Sequence, residues 1–208
     1  MQVTDKIHIT NEDNMALMSR YSDKYFDLAI VDPPYGINAG KMTMGSGKHN
    51  FSKGKDWDCA IPSDNYFKEL FRTSKNQIIW GGNYFELPLN NNWLIWDKLN
   101  PNLSFSEAEL AWCSINKNIR IFKRYSAMDD FDGKKQHPTQ KPIDLYRWIL
   151  NKYAKQGDKI LDTHLGSGSI AIACHDYNFE LTACELDQEY YEEAIQRIKN
   201  HTAQVKMF

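Results

Sequence analysis

In a chain of 208 residues, the stretch Asp32, Pro33, Pro34, Tyr35 combines residue types that together can hold a flat, amino-bearing ligand. It follows the apolar run Leu28, Ala29, Ile30, Val31. A short β-branched run ending in two prolines predicts a buried strand that leaves its sheet, because proline has no N–H to continue a ladder. Pro34 also restricts Pro33 to an extended conformation, so the Pro33 carbonyl has no strand partner and can face a ligand. Asp32 adds a second acceptor, and Tyr35 adds an aromatic face for stacking. Two acceptors beside a ring suit an exocyclic amino group of a nucleobase. The nitrogen of adenine N6 or cytosine N4 is a poor nucleophile, since its lone pair is delocalised into the ring. Hydrogen bonds from both its hydrogens, to Asp32 and to the Pro33 carbonyl, favour a pyramidal nitrogen aimed at an electrophilic methyl, a preorganisation that acts where charge develops. Direct transfer of this kind needs no cysteine nucleophile. A plain proline turn after a strand also accounts for the four residues, so other motifs must decide.

A second constellation lies near the C-terminus. Asp162, Thr163, His164, Leu165, Gly166, Ser167, Gly168 falls where a predicted strand turns into a helix. Glycines let a backbone pass close to a ligand, and a helix N-terminus offers N–H groups to an anion such as a carboxylate. Glu185 ends the next strand, where nucleotide-binding α/β folds place an acid on ribose hydroxyls. A tight turn explains the short glycine pattern alone; Glu185 shifts the balance toward an adenosine ligand. The full GxGxxG fingerprint is absent, with Ala171 where its third glycine could stand, which argues for a cofactor without a pyrophosphate.

The elements that position these residues follow from periodicity. Strands are predicted at Ile7 to Ile9, Leu28 to Asp32, Gln77 to Trp80, Trp93 to Trp96, Ala108 to Cys113, Lys159 to Asp162 and Glu180 to Cys184, and Arg120 to Tyr125 is a candidate for another. Asp13 or Asn11 can cap an early helix, which is the plain explanation of Asp13. Ser63 precedes a helix with Phe67, Leu70 and Phe71 on one face. Pro142 opens another, with Leu145, Trp148, Ile149 and Tyr153 on its apolar side. The last helix, Asp187 to Asn200, is expected to bury Tyr191, Ala194, Ile195 and Ile198. Helices alternating with strands predict an α/β sandwich around a largely parallel sheet.

Composition is that of an ordinary globular protein, 42% hydrophobic and 25% charged, with one domain as the default. Met1 to Thr10 lacks the basic start and apolar run of a signal peptide, and no stretch reads as a membrane span. Cys59, Cys113, Cys174 and Cys184 are widely separated and read as reduced core thiols. The histidines lack metal-ligand spacing. A net charge of −2 does not look like a nucleic-acid binder, but charge is unevenly distributed. Lys41, Lys48, Lys53 and Lys55 lie in a glycine-rich loop from Gly36 to Pro62 that carries no acid between Gly40 and Lys55. Arg120, Lys123 and Arg124 form part of a second basic stretch. Such asymmetry allows one positive face, although charge runs are usually solvated surface.

The motifs VDPPYG, IIWGGNYF, HPTQKP and LDTHLGSGS, in that order, resemble those of DNA amino-methyltransferases that use S-adenosyl-L-methionine (SAM). The order, catalytic motif before glycine motif, is that of the permuted beta group, and the resemblance covers nearly the whole chain. It implies a Rossmann-like α/β fold with a mostly parallel seven-stranded sheet, its last strand antiparallel, and helices on both faces. It further implies a catalytic half over about 1–115, a short target-recognition segment over about 116–136 and a SAM-binding half over about 137–208. By the same resemblance, Asp32 and the carbonyl of Pro33, next to Pro34, hold the target amino group while Tyr35 stacks on a flipped base. Asp162, His164, Gly166 and Gly168 form the cofactor loop and Glu185 is the ribose acid. Asp13 with Asn14 recognises the cofactor adenine, and Thr139 and Lys141 close over its methionine end. Thr163 and His164 replace the usual proline and phenylalanine, which predicts weaker or pH-sensitive SAM binding. The lysines and arginines named above are expected to contact double-stranded DNA, offsetting the few kcal/mol of base flipping in a salt-dependent way. The implied activity is methylation of adenine N6 in DNA, since family members acting on cytosine N4 more often carry Ser in place of Asp32. Cytosine-N4 methylation and a non-catalytic SAM- or DNA-binding relative are the alternatives. The expected location is cytoplasmic, in a bacterial or phage-infected cell, and a homodimer is an open assembly state.

Overall fold

Eight short strands form one sheet, and both motifs hang from its carboxyl edge. The computed structural model describes residues 2–38, 58–100, 106–115, 118–125 and 140–203. The strands are β1 (Ile7–Asn11), β2 (Phe26–Val31), β3 (Ser74–Trp80), β4 (Trp93–Asp97), β5 (Ala108–Cys113), β6 (Arg120–Lys123), β7 (Lys159–Asp162) and β8 (Glu180–Glu185). Their order is β1-β8-β7-β2-β3-β5-β4-β6. Strand β5 runs antiparallel to its neighbours β3 and β4, while the other pairs are parallel.

Two expectations about this sheet are corrected. It has eight strands rather than seven, because Arg120–Lys123 completes a parallel edge on β4. The antiparallel strand is not at the end of the sheet but two places in from the β6 edge. Reversal of β5 has a consequence for the site. Its first residues arrive at the same edge as the last residues of β2, β3 and β7.

Alternation along each strand sends side chains to opposite faces. Leu28, Ile30, Ile78 and Trp80 pack in one cluster with Leu145 and Ile149 of α3 (Ile143–Tyr153), Ile170 of α4 (Ser169–Asp176), and Ala194 and Ile198 of α5 (Gln188–Thr202). Ala29, Val31 and Ile79 pack in the second cluster with Leu17 and Met18 of α1 (Asn14–Ser19), and with Phe67 and Leu70 of α2 (Asp64–Thr73). Each buried aliphatic or aromatic side chain contributes about 1.5–3 kcal/mol, so the central strands are held from both sides. In α5 the inward ring is Tyr190, not Tyr191, which is half-buried. Tyr190, Ala194 and Ile198 stand four residues apart and share one helical face; Tyr191 is turned about 100° away. Cys113, Cys174 and Cys184 are buried, whereas Cys59 is exposed and so is not a core thiol. Among the described residues no helix is long and apolar enough to cross a membrane.

Candidate active site

Strands β2 and β7 are direct neighbours, with Leu28 opposite Ile160 and Ala29 opposite Leu161. The Asp32–Tyr35 turn and the loop after Asp162 therefore leave the sheet side by side, although they lie far apart in the chain. Both line one cavity of about 1350 Å³, whose wall includes Asp32, Pro33, Pro34, Tyr35, Gly166 and Glu185. This edge, beside the point where the strand order reverses, is where open α/β sheets bind ligands.

On the catalytic side, the Pro33 carbonyl makes no hydrogen bond within the described residues, as expected of a double-proline turn. The turn is fastened from outside. Buried Asp58 accepts at Oδ1 from the Tyr35 N–H (2.6 Å) and the Gly36 N–H (2.9 Å). Tyr35 Oη donates to Asp32 Oδ1 at 2.6 Å, and Lys141 Nζ pairs with Asp32 Oδ2. Each carboxylate oxygen has room for a second donor, so Asp32 keeps acceptor capacity toward the cavity. Burial pushes the Asp32 carboxyl above its ordinary range, Lys141 opposes and Glu109 adds to the rise. Burial disfavours charge on Lys141, yet Asp32 and Glu109 on either side raise it overall.

Tyr35 is less free than a lone stacking platform. Its ring stacks on Tyr84, with centroids 5.1 Å apart and planes 12° from parallel. Gly81, at φ +68°, makes this seat possible: a Cβ there would lie 2.2 Å from Tyr35 Cε1. A Cβ on Gly82 would similarly lie 2.6 Å from Trp112 Cβ. The paired glycines of the IIWGGNYF stretch thus let one backbone touch the Tyr35 ring and strand β5 together.

On the cofactor side, Asp162 Oδ1 accepts from the His164 N–H at 3.0 Å, and Glu185 accepts from the Gly166 N–H (2.9 Å) and the Asp187 N–H (3.0 Å). The Gly168 N–H donates to the Leu165 carbonyl. Both glycine amides are therefore already bonded, Gly166 to the acid ending β8 and Gly168 within the loop. Burial raises Glu185 and lifts Asp162 to about 8. His164 is held at both nitrogens. Asn14 Nδ2 donates to Nε2 (3.1 Å), which leaves the hydrogen on Nδ1, facing Thr163 Oγ1 at 3.0 Å. Burial lowers its pKa to about 4, so the ring is neutral at physiological pH. The pH sensitivity expected of it is confined to acid solution.

Other predicted residues fall where other forces put them. Asp13 caps α1, accepting from Met15 N and Ala16 N, and also lines the cavity with Asn14. Lys141, expected near the methionine end of the cofactor, sits instead between Asp32 and Glu109. Arg124 does not face DNA: it is 9% exposed and donates to Asp144 at 3.0 Å, while its carbonyl accepts from Trp96 Nε1. Arg120 and Lys123 are exposed on β6. Lys41, Lys48, Lys53, Lys55, Thr139 and most of the 116–136 segment lie outside the described residues. Sequence reasoning passed over Asp58, Lys98 and Glu109, and took in Gly81 and Tyr84 only as part of the IIWGGNYF motif. Of the three passed over, only Glu109 carried a signal, as an acid among the apolar residues of Ala108–Cys113.

A family model described as DNA methylase (N6_N4_Mtase) matches residues 51–196, beginning after the Asp32–Tyr35 turn. The Type II methyltransferase M2.DpnII of Streptococcus pneumoniae is 24% identical over 244 residues, spanning 94% of this chain and 90% of that protein. M2.MboI of Moraxella bovis is 28% identical over 243 residues, 90% of this chain and 88% of the relative. Among solved structures, the M1.HpyAVI–SAM complex is similar with a TM-score of 0.60 at 18% identity, covering 91% of this chain and 98% of that one. The cytosine-N4-specific PvuII DNA methyltransferase is similar with a TM-score of 0.63 at 13% identity, covering 96% and 87%. With that family match over more than half its length, and a fold shared with such enzymes, the chain belongs to the DNA methylase family of N6/N4 amino-methyltransferases.

Proposed function

We propose that this protein transfers a methyl group from SAM to the exocyclic N6 of adenine in double-stranded DNA, acting on an extruded base. The observation that carries the reading is the single cavity shared by the Asp32–Tyr35 turn and the loop after β7. SAM suits the cofactor side by charge. Glu12, Asp13, Glu185 and Asp187 line it, and the two lysines of the cavity wall, Lys98 and Lys141, both pair with Glu109. Such a lining favours a ligand bearing a sulfonium and an ammonium and disfavours a pyrophosphate. Glu185 serves the ribose hydroxyls and Asp13 with Asn14 the adenine, a reading supported by their positions on the cavity wall, while Asp162, buried and bonded to the His164 N–H, answers the ligand's positive charge from behind that wall. When bound, SAM supplies an electrophilic methyl carbon, and its carbon–sulfur bond breaks to leave the neutral thioether S-adenosylhomocysteine.

The chain's own residues act on the base. Asp32 and the Pro33 carbonyl each accept from the amino group and orient its lone pair, and Tyr35 with Tyr84 offers the aromatic wall. As the new nitrogen–carbon bond forms the nitrogen becomes cationic, and Asp32 is the acceptor placed to take the proton it sheds. The aligned spans of the relatives exceed the 208 residues of this chain, so those proteins carry inserted residues. That supports a single methyltransferase domain with a compact target-recognition segment near 116–136. Incubation with methyl-labelled SAM and unmethylated DNA, followed by digestion to nucleosides and mass analysis, tests the reading. N6-methyladenine is expected; N4-methylcytosine would move the target to the other amino base, and no methylated nucleoside would overturn the reading.

A further inference from the structure

Behind Asp32 the cavity wall contains a row of alternating charges drawn from four separate parts of the chain. Lys98 Nζ, just past β4, is 2.7 Å from Glu109 Oε1, and Glu109 Oε2 is 3.1 Å from Lys141 Nζ. Lys141 in turn pairs with Asp32. The side chains are 15%, 19%, 2% and 20% exposed in that order, so the row is screened from bulk water while its far end touches the cavity. Lys141 also lies over the Trp80 ring, 5.2 Å from its centroid, and donates to Tyr35 Oη at 3.1 Å. The four charges cancel. Only Asp32 is used by the transfer described above.

A lone lysine–aspartate pair in a desolvated site would hold the carboxylate ionised but draw its electron density to the ammonium, leaving a poor acceptor for an amino group. A second carboxylate on the far side of the ammonium divides that pull. A second lysine beyond it prevents the opposite failure, in which the ammonium leaves Asp32 for the competing acid. We propose that Glu109, backed by Lys98, is a positioning residue for methyl transfer: it holds the Lys141 ammonium between two carboxylates, so that Asp32, kept ionised by that ammonium, still accepts from the target amino group. The inference rests on the reading of Asp32 as that acceptor. The antiparallel direction of β5 is what brings Glu109 to the reacting edge.

Titration behaviour is consistent with this arrangement. Burial pushes Glu109 up, but Lys141 and Lys98 overcome it and hold the carboxyl at about 2. Besides the row, Tyr35, Tyr66, Tyr146 and Asp162 are the titratable groups whose charges interact with Asp32. Burial raises all three phenols, which stay neutral, and the groups that move Asp162 do not include Glu109. A change in the acidic limb on altering Glu109 therefore reports Asp32.

The test is the single-turnover transfer rate from labelled SAM to unmethylated DNA across about pH 5 to 9, for wild type, Glu109→Gln and Lys98→Met. The plateau rate should fall about tenfold in both variants while SAM affinity, read by calorimetry, stays at the wild-type value. The acidic limb should move about one pH unit down in Glu109→Gln, which loses a neighbouring negative charge, and up in Lys98→Met, where Glu109 is no longer neutralised. Opposite movements are the signature, because a role confined to stability moves neither limb. Should Glu109→Gln not fold, the upward shift in Lys98→Met carries the same test. Limbs that stay at the wild-type position, with rates unchanged or falling only with thermal stability, would overturn the proposal. A wild-type protein that transfers no methyl group would instead overturn the functional reading on which it stands.

Discussion

The Asp32–Tyr35 turn and the loop after Asp162 leave adjacent strands at one edge of the sheet, yet different forces hold them. Around the loop the bonds to backbone come from its own two strands, Asp162 to His164 N–H, Glu185 to Gly166 N–H, and Leu165 N–H to the Cys184 carbonyl, while neutral side chains from afar, Asn14 and Tyr66, reach His164 and Thr163. At the turn they come from afar and involve charge: Asp58 on its N–H groups, Lys141 on its carboxylate, and Gly81 beneath its tyrosine. The loop is thus held by its own strands and by neutral partners. The turn is correct only when three distant parts of the chain are correct. Substitutions at the turn should cost rate and spare cofactor binding, and substitutions at the loop should do the reverse.

The strongest way to break that comparison is Asp32→Ala. It should lower the transfer rate about a thousandfold while the Kd for SAM, measured by calorimetry, changes less than about threefold. A parallel loss of SAM binding would mean the two regions are not separable. Gly81→Ala comes next. The added Cβ meets the Tyr35 ring and the left-handed backbone adds strain, so a loss of about 1–2 kcal/mol in thermal or denaturant unfolding is expected. Transfer should fall with it, and SAM affinity should hold.

Glu185→Ala probes the other side. It removes the acceptor of two backbone N–H groups and should raise the Kd for SAM about tenfold, with a transfer rate near wild type at saturation. The smallest expected effect is a proton. Burial lifts Asp162 to about 8, so its carboxyl is largely protonated at neutral pH in the free protein. Because this value lies above that of the unfolded chain, its contribution to stability is complete below about pH 4 and is lost as pH rises through 8. A cationic ligand reverses the preference. SAM binding at pH 7 should release a proton, seen in calorimetry across buffers of different ionisation enthalpy, and Asp162→Asn should abolish that release.

The two regions were also unequally legible. Strands Trp93 to Trp96, Ala108 to Cys113 and Lys159 to Asp162 could be read because alternation and apolar runs are local. So could the loop's acids, since Asp162 and Glu185 both end strands. The direction of β5 was not legible, because strand polarity is decided by pairing with β3 and β4 and leaves no trace in its own residues. Without that direction Glu109 reads as an odd acid in an apolar strand and Lys98 as a solvated lysine. Arg124 shows the converse error, in which a basic residue in a basic stretch looks solvent-facing until Asp144 and Trp96 are seen to hold it.

A crystal structure with S-adenosylhomocysteine tests most directly whether one cavity serves both regions. The account predicts its ribose at Glu185 and its sulfur facing the Asp32–Pro33 turn with nothing but the space of a methyl and an amino group between them. A thioether bound outside the cavity lined by Asp32, or turned away from it, would contradict the account.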